Sequence, residues 1–124
     1  MTKSLIGMML LCGLLLTGFT GIARANSAVD GDAPAIMVSP SVIVLAKVDT
    51  ITVHSNIVAT AVTPGSVTLN GVAPTSVGAD SLGHLVAKFA VADLGLSPGE
   101  VLMTLCGAFT DGSNFSATDV VTVK

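Results

Sequence analysis

The sequence predicts an all-β domain, a sandwich of about seven short strands. Short stretches alternate apolar and polar residues with the period of two that is typical of a half-buried strand. Turn signals separate these stretches at intervals of about 8–12 residues, among them Pro64-Gly65, Asn70-Gly71 and Asp111-Gly112. No segment after residue 25 has a helical period, so a helical or mixed fold is not expected.

Seven stretches carry the alternation or the short apolar runs that predict strands. They are residues 36–38, 42–46, 50–54, 66–69, 85–91, 101–109 and 120–124. Between the first two stands Ser39-Pro40, which predicts a turn or a switch from one sheet to the other. Asn70-Gly71 and Asp111-Gly112 are hairpin signals. Residues 93–99 predict a helical turn followed by a loop.

The alternation also predicts which side chains fill the core. We expect the large apolar residues on one face of each strand to point inward and to supply much of the burial in so small a domain. Six of these residues are Leu69, Leu85, Phe89, Leu105, Phe109 and Val121. Phe89 and Phe109 are expected to face each other between the sheets, because each lies on the apolar side of its strand.

The first 25 residues have the pattern of a secretory signal peptide. Lys3 supplies the positive start, residues 5–16 are almost wholly apolar, and Ala23-Arg24-Ala25 provides the small residues of a cleavage site. We therefore predict cleavage between Ala25 and Asn26. The apolar run is shorter than the ~20 residues of a membrane-spanning helix, although a permanent N-terminal anchor stays open as an alternative.

This pattern defines the expected organisation of the chain. Residues 1–25 are a signal peptide, residues 26–34 a flexible N-terminal arm, and residues 35–124 one sandwich domain. The protein is predicted to be exported to the periplasm, the cell surface or the medium, and its mature chain is predicted to have no membrane span.

The charge balance excludes nucleic acid as a partner. The chain has five basic and eight acidic residues, and removal of residues 1–25 takes Lys3 and Arg24 with it. Three lysines then stand against eight carboxylates, a net charge of −5. So few cations cannot neutralise the several phosphates that a nucleic-acid surface must bind. Because the chain has no Trp or Tyr, stacking platforms for sugars or bases are not expected either.

Cys106 is the one cysteine that remains when Cys12 leaves with the signal peptide, so no intramolecular disulfide is expected in the mature chain. The preferred interpretation is a small buried residue of the 101–109 strand. A disulfide-linked dimer and a chemical role for the thiol stay open as alternatives.

The residues needed for catalysis are few. His54 and His84 are the two histidines, and neither has a neighbour at the spacing of a metal site. No His or Met follows Cys106, as a blue-copper site would require. The sequence also has no nucleophile elbow, phosphate loop or dinucleotide fingerprint. We predict that the protein is not an enzyme and that it uses no cofactor.

The second half of the chain resembles a known family. The stretches SVTLNGVAP (66–74), LVAKF (85–89), PGEV (98–101) and TLCGAFTDGSNFSATDVVTV (104–123) are similar to those of an immunoglobulin-like β-sandwich module of secreted and surface-layer proteins of bacteria and archaea. The resemblance spans residues 42–124 and implies a single immunoglobulin-like antiparallel sandwich. This chain departs from the pattern of the module at two places. At Cys106 the module often has Thr, and at Ala117-Thr118 the module often has Gly before the late Asp.

The resemblance raises the possibility of a calcium site. Many such modules carry an Asp-rich loop before the LVxKF strand that resembles a calcium-binding loop. Here the loop is residues 78–84, and it holds Asp80 with Ser81. Calcium takes about six to eight oxygen ligands, usually several carboxylates, so an ordinary polar turn is the preferred interpretation. If the site is retained, Asp80 is its anchor, helped by Asp111 or Asp119.

These observations leave two classes of non-catalytic function. The first is an exported module that presents a loop or an edge strand to a protein partner or a cell-surface component. The second is a subunit of a polymeric extracellular fibre, assembled by donating the N-terminal arm to a neighbour's sheet. A calcium-stabilised adhesion module is a minor alternative.

Overall fold

The computed structural model describes residues 28, 29, 31 and 33–124, and it confirms the all-β sandwich. Eight strands are present in this part of the chain, one more than the sequence predicts. They are β1 (Ile36–Ser39), β2 (Val42–Ile43), β3 (Thr50–Val58), β4 (Thr68–Leu69), β5 (Ser76–Ala79), β6 (His84–Ala90), β7 (Gly99–Ala108) and β8 (Asn114–Val123). A 3-10 turn covers Ala59–Ala61, and the short helix α1 covers Val91–Leu94.

The strands form two four-stranded sheets. The first has the order β1-β3-β6-β5 and the second the order β2-β8-β7-β4. This is the arrangement of a constant-type immunoglobulin sandwich, with β2 added beside the last strand. One strand pair departs from the antiparallel pattern, because β2 runs parallel to β8. The cause is that β2 follows β1 in the same direction after the chain changes sheets.

The change of sheets at Ser39-Pro40 is confirmed. β1 ends at Ser39, the Ser39-Pro40 peptide is cis, and β2 begins at Val42 in the other sheet. The predicted strand 42–46 is too long. Lys47 and Val48 both donate backbone hydrogen bonds to the Val44 carbonyl at 2.8 Å, so the chain turns immediately after β2.

The two predicted hairpin turns behave differently. Asp111-Gly112 does connect paired strands, since β7 and β8 align over ten residue pairs. Asn70 and Gly71 have φ angles of 50° and 82°, and the flanking Leu69 and Val72 exchange two backbone bonds of 2.9 Å. This is the backbone of a tight hairpin turn, but the chain then crosses to the first sheet instead of pairing further with β4.

Asn70 contacts β7 at the point where the chain begins to cross to the first sheet. Its backbone N–H donates to the Thr104 carbonyl at 2.9 Å, and its side-chain Oδ1 accepts the Thr104 N–H at 2.8 Å. Its Nδ2 also donates to the Leu102 carbonyl at 3.2 Å. Asn70 therefore continues the pairing of β4 with β7, through its backbone N–H and its side chain, at the point where the chain leaves this edge.

The six expected core residues are all buried. They are Leu69, Leu85, Phe89, Leu105, Phe109 and Val121, each at most 3% exposed. The expected pairing of Phe89 with Phe109 is wrong. Phe109 packs instead on Phe115, with ring centroids 5.0 Å apart and a tilt of 42°. Phe89 pairs in register with Ile51, next to α1.

The position of Phe115 depends on a glycine opposite it. Gly107 faces Phe115 across β7 and β8, and a Cβ at Gly107 would overlap the Phe115 ring. The ring therefore lies over the Gly107 backbone and reaches Phe109. Among the described residues, no polar or charged side chain is buried, so the core is held by apolar packing alone.

The segment 26–34 was expected to be a flexible arm, and its described residues are attached to the domain. Val29 is 6% exposed, belongs to the core and forms an antiparallel bridge with Ile57. Asn56 fixes the chain that follows, because its Oδ1 accepts the Ala35 N–H and its Nδ2 donates to the Ala33 carbonyl, both at 2.9 Å. The slot that Val29 occupies in the core beside Ile57 explains why this segment is attached to the domain instead of forming a free arm.

Two predictions lie outside this part of the chain. The signal peptide over residues 1–25 and the cleavage point between Ala25 and Asn26 fall on residues that the structure does not describe. Among those it does describe, no helix has the length and apolar character needed to cross a membrane.

Candidate functional site

The four edge strands of the two sheets differ in what they offer a partner. β1 and β5 border the first sheet, and β2 and β4 border the second. β2 and β4 have two residues each. On β1, the Val38 N–H is already bound to the Asp119 carboxylate at 2.9 Å. β5 has four residues, all of them exposed, and is the edge best suited to receive another strand.

The hydrogen-bond pattern shows which groups of β5 point outward. The Asp80 N–H donates to the His84 carbonyl at 3.0 Å and closes the turn between β5 and β6. Antiparallel strands alternate hydrogen-bonded and non-bonded pairs. The backbone N–H and C=O groups of Gly78 and Ser76 therefore point toward β6, where these residues pair with Val86 and Lys88. The N–H and C=O groups of Val77 and Ala79 point away from β6, toward the free edge.

An apolar groove of about 430 Å³ runs beside this edge. Its walls are β5, the start of β6 and the loop that connects β3 to β4. Lining residues include Val62, Pro64, Val67, Val77, Ala79 and Leu85. The groove is therefore continuous with the exposed backbone of β5, as a site for an extended peptide requires.

Val77 forms the apolar rim of the groove. It pairs with Ala87, which is 1% exposed, and therefore lies on the inner face of the first sheet. Even so, Val77 is 51% exposed. An apolar side chain of the inner face is therefore accessible at the open side of the groove.

The loop that forms the other wall is fixed by β7. The Thr63 N–H donates to the Ala108 carbonyl and the Thr110 N–H to the Ala61 carbonyl, both at 2.8 Å. Ser66 adds a side-chain bond, since its Oγ accepts the Ala108 N–H at 3.0 Å. The groove wall is thus held at one end by backbone pairing and at the other by the Ser66 side chain, so the groove is a preformed feature of the fold.

Asp80, the candidate calcium ligand, caps the turn after β5. Its Oδ1 accepts the Leu82 N–H at 2.8 Å and the His84 N–H at 3.0 Å. The candidate helpers Asp111 and Asp119 accept other bonds, from Ser113 and from Val38. No group of three or more His, Cys, Asp or Glu able to hold a metal occurs in the described part of the chain.

β5 has an acidic group at one end, Asp80, and a basic group beside its other end, Lys88. The pKa of Asp80 lies below its ordinary value of 3.8, first because the His84 N–H donates to the carboxylate. Desolvation opposes this shift, and the Leu82 N–H and the electrostatic interaction with His84 and His54 add to it. Lys88 lies on the same outer face, exposed and paired with Ser76 at the other end of β5.

The other candidate residues are spread over the two sheets. His54 and His84 lie on β3 and β6 of the first sheet, and Cys106 lies on β7 of the second. Cys106 alternates with the buried Leu105 and Gly107, so it occupies the outer face, which excludes a nucleophilic pair with either histidine. The expectation that Cys106 is buried is wrong, because Cys106 is only partly buried, on the outer face of β7.

The sequence pattern does not predict β5. Its residues, Ser76–Ala79, hold a single large apolar side chain, which is too little for a period of two to be recognised. The one signal present was the turn that follows, where Asp80 and Gly83 close a short loop before an alternating strand. Comparison with protein-family models, curated proteins and solved structures finds no significant match to this chain.

Proposed function

We propose that this chain is an exported, non-catalytic β-sandwich module that binds an extended segment of a protein partner along β5, at a cell surface or in the extracellular space. The signal-peptide pattern of residues 1–25 supports the exported location. The module acts by β-strand addition, in which backbone bonds supply affinity and side-chain pockets supply specificity.

One observation carries this proposal: β5 is an exposed, uncharged edge next to an apolar groove. The outward N–H and C=O groups of Val77 and Ala79 supply the hydrogen bonds for an added strand. Alternate residues of that strand would lie over the groove, so small or apolar residues are favoured there. Its other residues lie on the outer face near Lys88, where a carboxylate is favoured.

Assembly into a fibre through the N-terminal arm stays the alternative proposal. Arm donation would require Val29 to leave the slot beside Ile57 in its own domain and enter that of a neighbour. A fibre would appear in analytical ultracentrifugation as species that grow without limit as concentration rises. A monomer or a closed small oligomer at high concentration would contradict it.

The proposal is tested by selecting displayed random peptides on the exported protein. The key variant is Val77→Pro, because proline removes the outward N–H of an edge strand without breaking a bond to β6. We expect the selected peptides to lose at least about tenfold in affinity for this variant, as loss of one backbone bond and a steric change predict.

The control is Leu102→Ser, which removes an exposed apolar side chain from the outer face of the second sheet, where Leu102 is 56% exposed. We expect this variant to bind the same peptides as the unchanged protein. Peptides that bind Val77→Pro equally well, or that depend on Leu102, would show that the binding surface lies elsewhere.

A further inference from the structure

We infer that the strand received by β5 is β5 of a second copy of this chain, so that two sandwiches join edge to edge through their first sheets. This inference rests on the proposed function, because it names the partner of the same edge. It follows from the register, the side-chain size and the charges that two antiparallel copies of β5 bring together.

The hydrogen-bonding groups match when the two strands are centred on Gly78. In that register Val77 faces the partner's Ala79, and Ala79 faces the partner's Val77. These are the residues whose N–H and C=O groups point outward, so each pair exchanges two backbone bonds. A shift by one residue would place Gly78, whose groups face β6, in the bonded position. The centred register is therefore the one that the backbone favours.

Gly78 suits the centre of such a pairing. It would lie opposite its own copy in a non-bonded pair, where Cα atoms approach to about 4.5 Å. Glycine adds no side chain to the outer face at this point, and the ordinary spacing of such a pair also accommodates a small uncharged side chain. An added Cβ at Gly78 would meet no heavy atom within 4 Å in the single chain, so nothing within the domain itself requires a glycine there.

The charges of the outer face are complementary in the same register. Asp80 lies opposite the partner's Ser76, and Ser76 is the residue that pairs with Lys88. Each Asp80 carboxylate therefore shares a row with the partner's Lys88, two strand spacings or about 10 Å away between backbones. The side chains span much of that distance. The twofold axis produces the contact twice, and Ser76–Ala79 carry no charge that would repel a copy.

On the inner face, the pairing covers the exposed apolar rim. A twofold axis perpendicular to the sheet keeps both inner faces on the same side, so each Val77 packs beside the partner's Ala79 above the groove. The interface is small, because the edge has four residues. We therefore expect a weak, reversible dimer, at the low end of specific interfaces in buried area, and no larger assembly, since a twofold contact closes on itself.

The test is sedimentation of the exported protein over a wide concentration range. We expect a monomer–dimer equilibrium that Val77→Pro weakens at least about tenfold, because each copy loses an outward N–H. Gly78→Lys places two ammonium groups directly opposite each other and should weaken the dimer at least about threefold. Gly78→Ser adds a Cβ without charge and is the matched control, expected to dimerise nearly as well as the unchanged protein.

A charge pair tests the register. Lys88→Glu sets two carboxylates against each other and should weaken the dimer by a few-fold. Adding Asp80→Asn to that variant removes the repulsion, keeps an oxygen for the Leu82 and His84 N–H groups, and should restore the association. Urea titration of each variant, measured at a concentration where the protein is monomeric, verifies that the domain remains folded.

The outcomes separate this inference from the proposed function. A protein that stays monomeric at every attainable concentration, while peptides still bind in a manner sensitive to Val77→Pro, would overturn the self-association and leave the peptide-binding edge intact. A dimer that Gly78→Lys and Gly78→Ser affect equally would place the interface elsewhere and also overturn the inference. Failure of both the dimer and the peptide selection would overturn the proposed function as well.

Discussion

The Asp119 carboxylate accepts the Val38 N–H at 2.9 Å and so connects the edge of the first sheet to β8 of the second. Its other oxygen accepts the Val120 N–H, also at 2.9 Å. An acidic side chain at the open side of the sandwich thus occupies the donor that β1 would otherwise present to another strand. Natural sheets commonly protect their edges with such inward-pointing charges, and β5 has no equivalent on its own edge.

Removal of this contact is expected to destabilise the domain and to expose β1. Asp119→Ala leaves the half-buried Val38 N–H without its acceptor, which costs about 1–3 kcal/mol of unfolding free energy. Asp119→Asn keeps an acceptor oxygen and should cost less. Urea titration at neutral pH measures the difference, and equal stability of the two variants would contradict the role assigned to Asp119.

Gly107→Ala is expected to destabilise the core. The added Cβ would overlap the Phe115 ring, which is held against Phe109. Overpacking of this kind costs typically about 1–3 kcal/mol. Gly78→Ala is the matched control, because its Cβ would meet open space, and its unfolding free energy should stay within about 0.5 kcal/mol of the unchanged protein. A Gly107→Ala variant as stable as this control would mean that the ring can move away freely.

We expect the Phe89 side chain to be essential for the stability of the domain and the His54 side chain to contribute little to it. Phe89 is fully buried, whereas His54 is half-exposed on the outer face of β3. Phe89→Ala should cost ~3–5 kcal/mol and leave a domain of this size close to its unfolding threshold. His54→Ala should stay within about 0.5 kcal/mol. Similar urea midpoints for both variants would contradict the register of β3 and β6.

We expect export to remove residues 1–25 and to leave a mature chain that begins at Asn26. The small residues Ala23 and Ala25 fit the positions that a signal peptidase recognises. Intact-mass measurement of protein recovered from the periplasm or the medium tests this cleavage. A full-length chain that begins at Met1 and stays in the membrane fraction would instead support the N-terminal anchor.

The strands that the sequence predicts well are those with one fully buried face. β6 and β7 alternate because Leu85, Leu105 and their neighbours pack against the opposite sheet. The prediction for β8 covers only its end, because it begins at residue 120 and the strand begins at Asn114. The turn at Asp111-Gly112 is equally local, because Gly112 adopts a φ of 94° that favours glycine. Local sequence determines such features, and the sequence pattern therefore contains them.

The features that the sequence does not predict depend on residues far apart in the chain. β5 is a strand because it pairs with β6, and one large apolar residue, Val77, leaves no local pattern. Asp119 and Val38 are separated by 81 positions. The Phe109 and Phe115 rings meet because Gly107 leaves room between β7 and β8, which no alternation predicts. The candidate binding edge also depends on such distant residues. The sequence therefore indicates that an edge strand could bind a partner, but it does not indicate which strand.

The acid dependence of stability should carry a contribution from Asp80. Its carboxylate accepts the His84 and Leu82 N–H groups, and the folded-state pKa therefore lies below the ordinary value of 3.8. A lowered pKa means that the folded state favours the charged form, so this contribution is present above about pH 4 to 5 and is lost as the pH falls through the folded-state pKa.

Asp80→Asn keeps the acceptor oxygen but not the charge. We expect it to be less stable than the unchanged protein at pH 7 and to approach it near pH 3 in urea titrations. Asp93→Asn, at an exposed position on α1, is the control for the loss of one negative charge. A difference between Asp80→Asn and the unchanged protein that stays constant from pH 7 to pH 3 would contradict the charged turn cap.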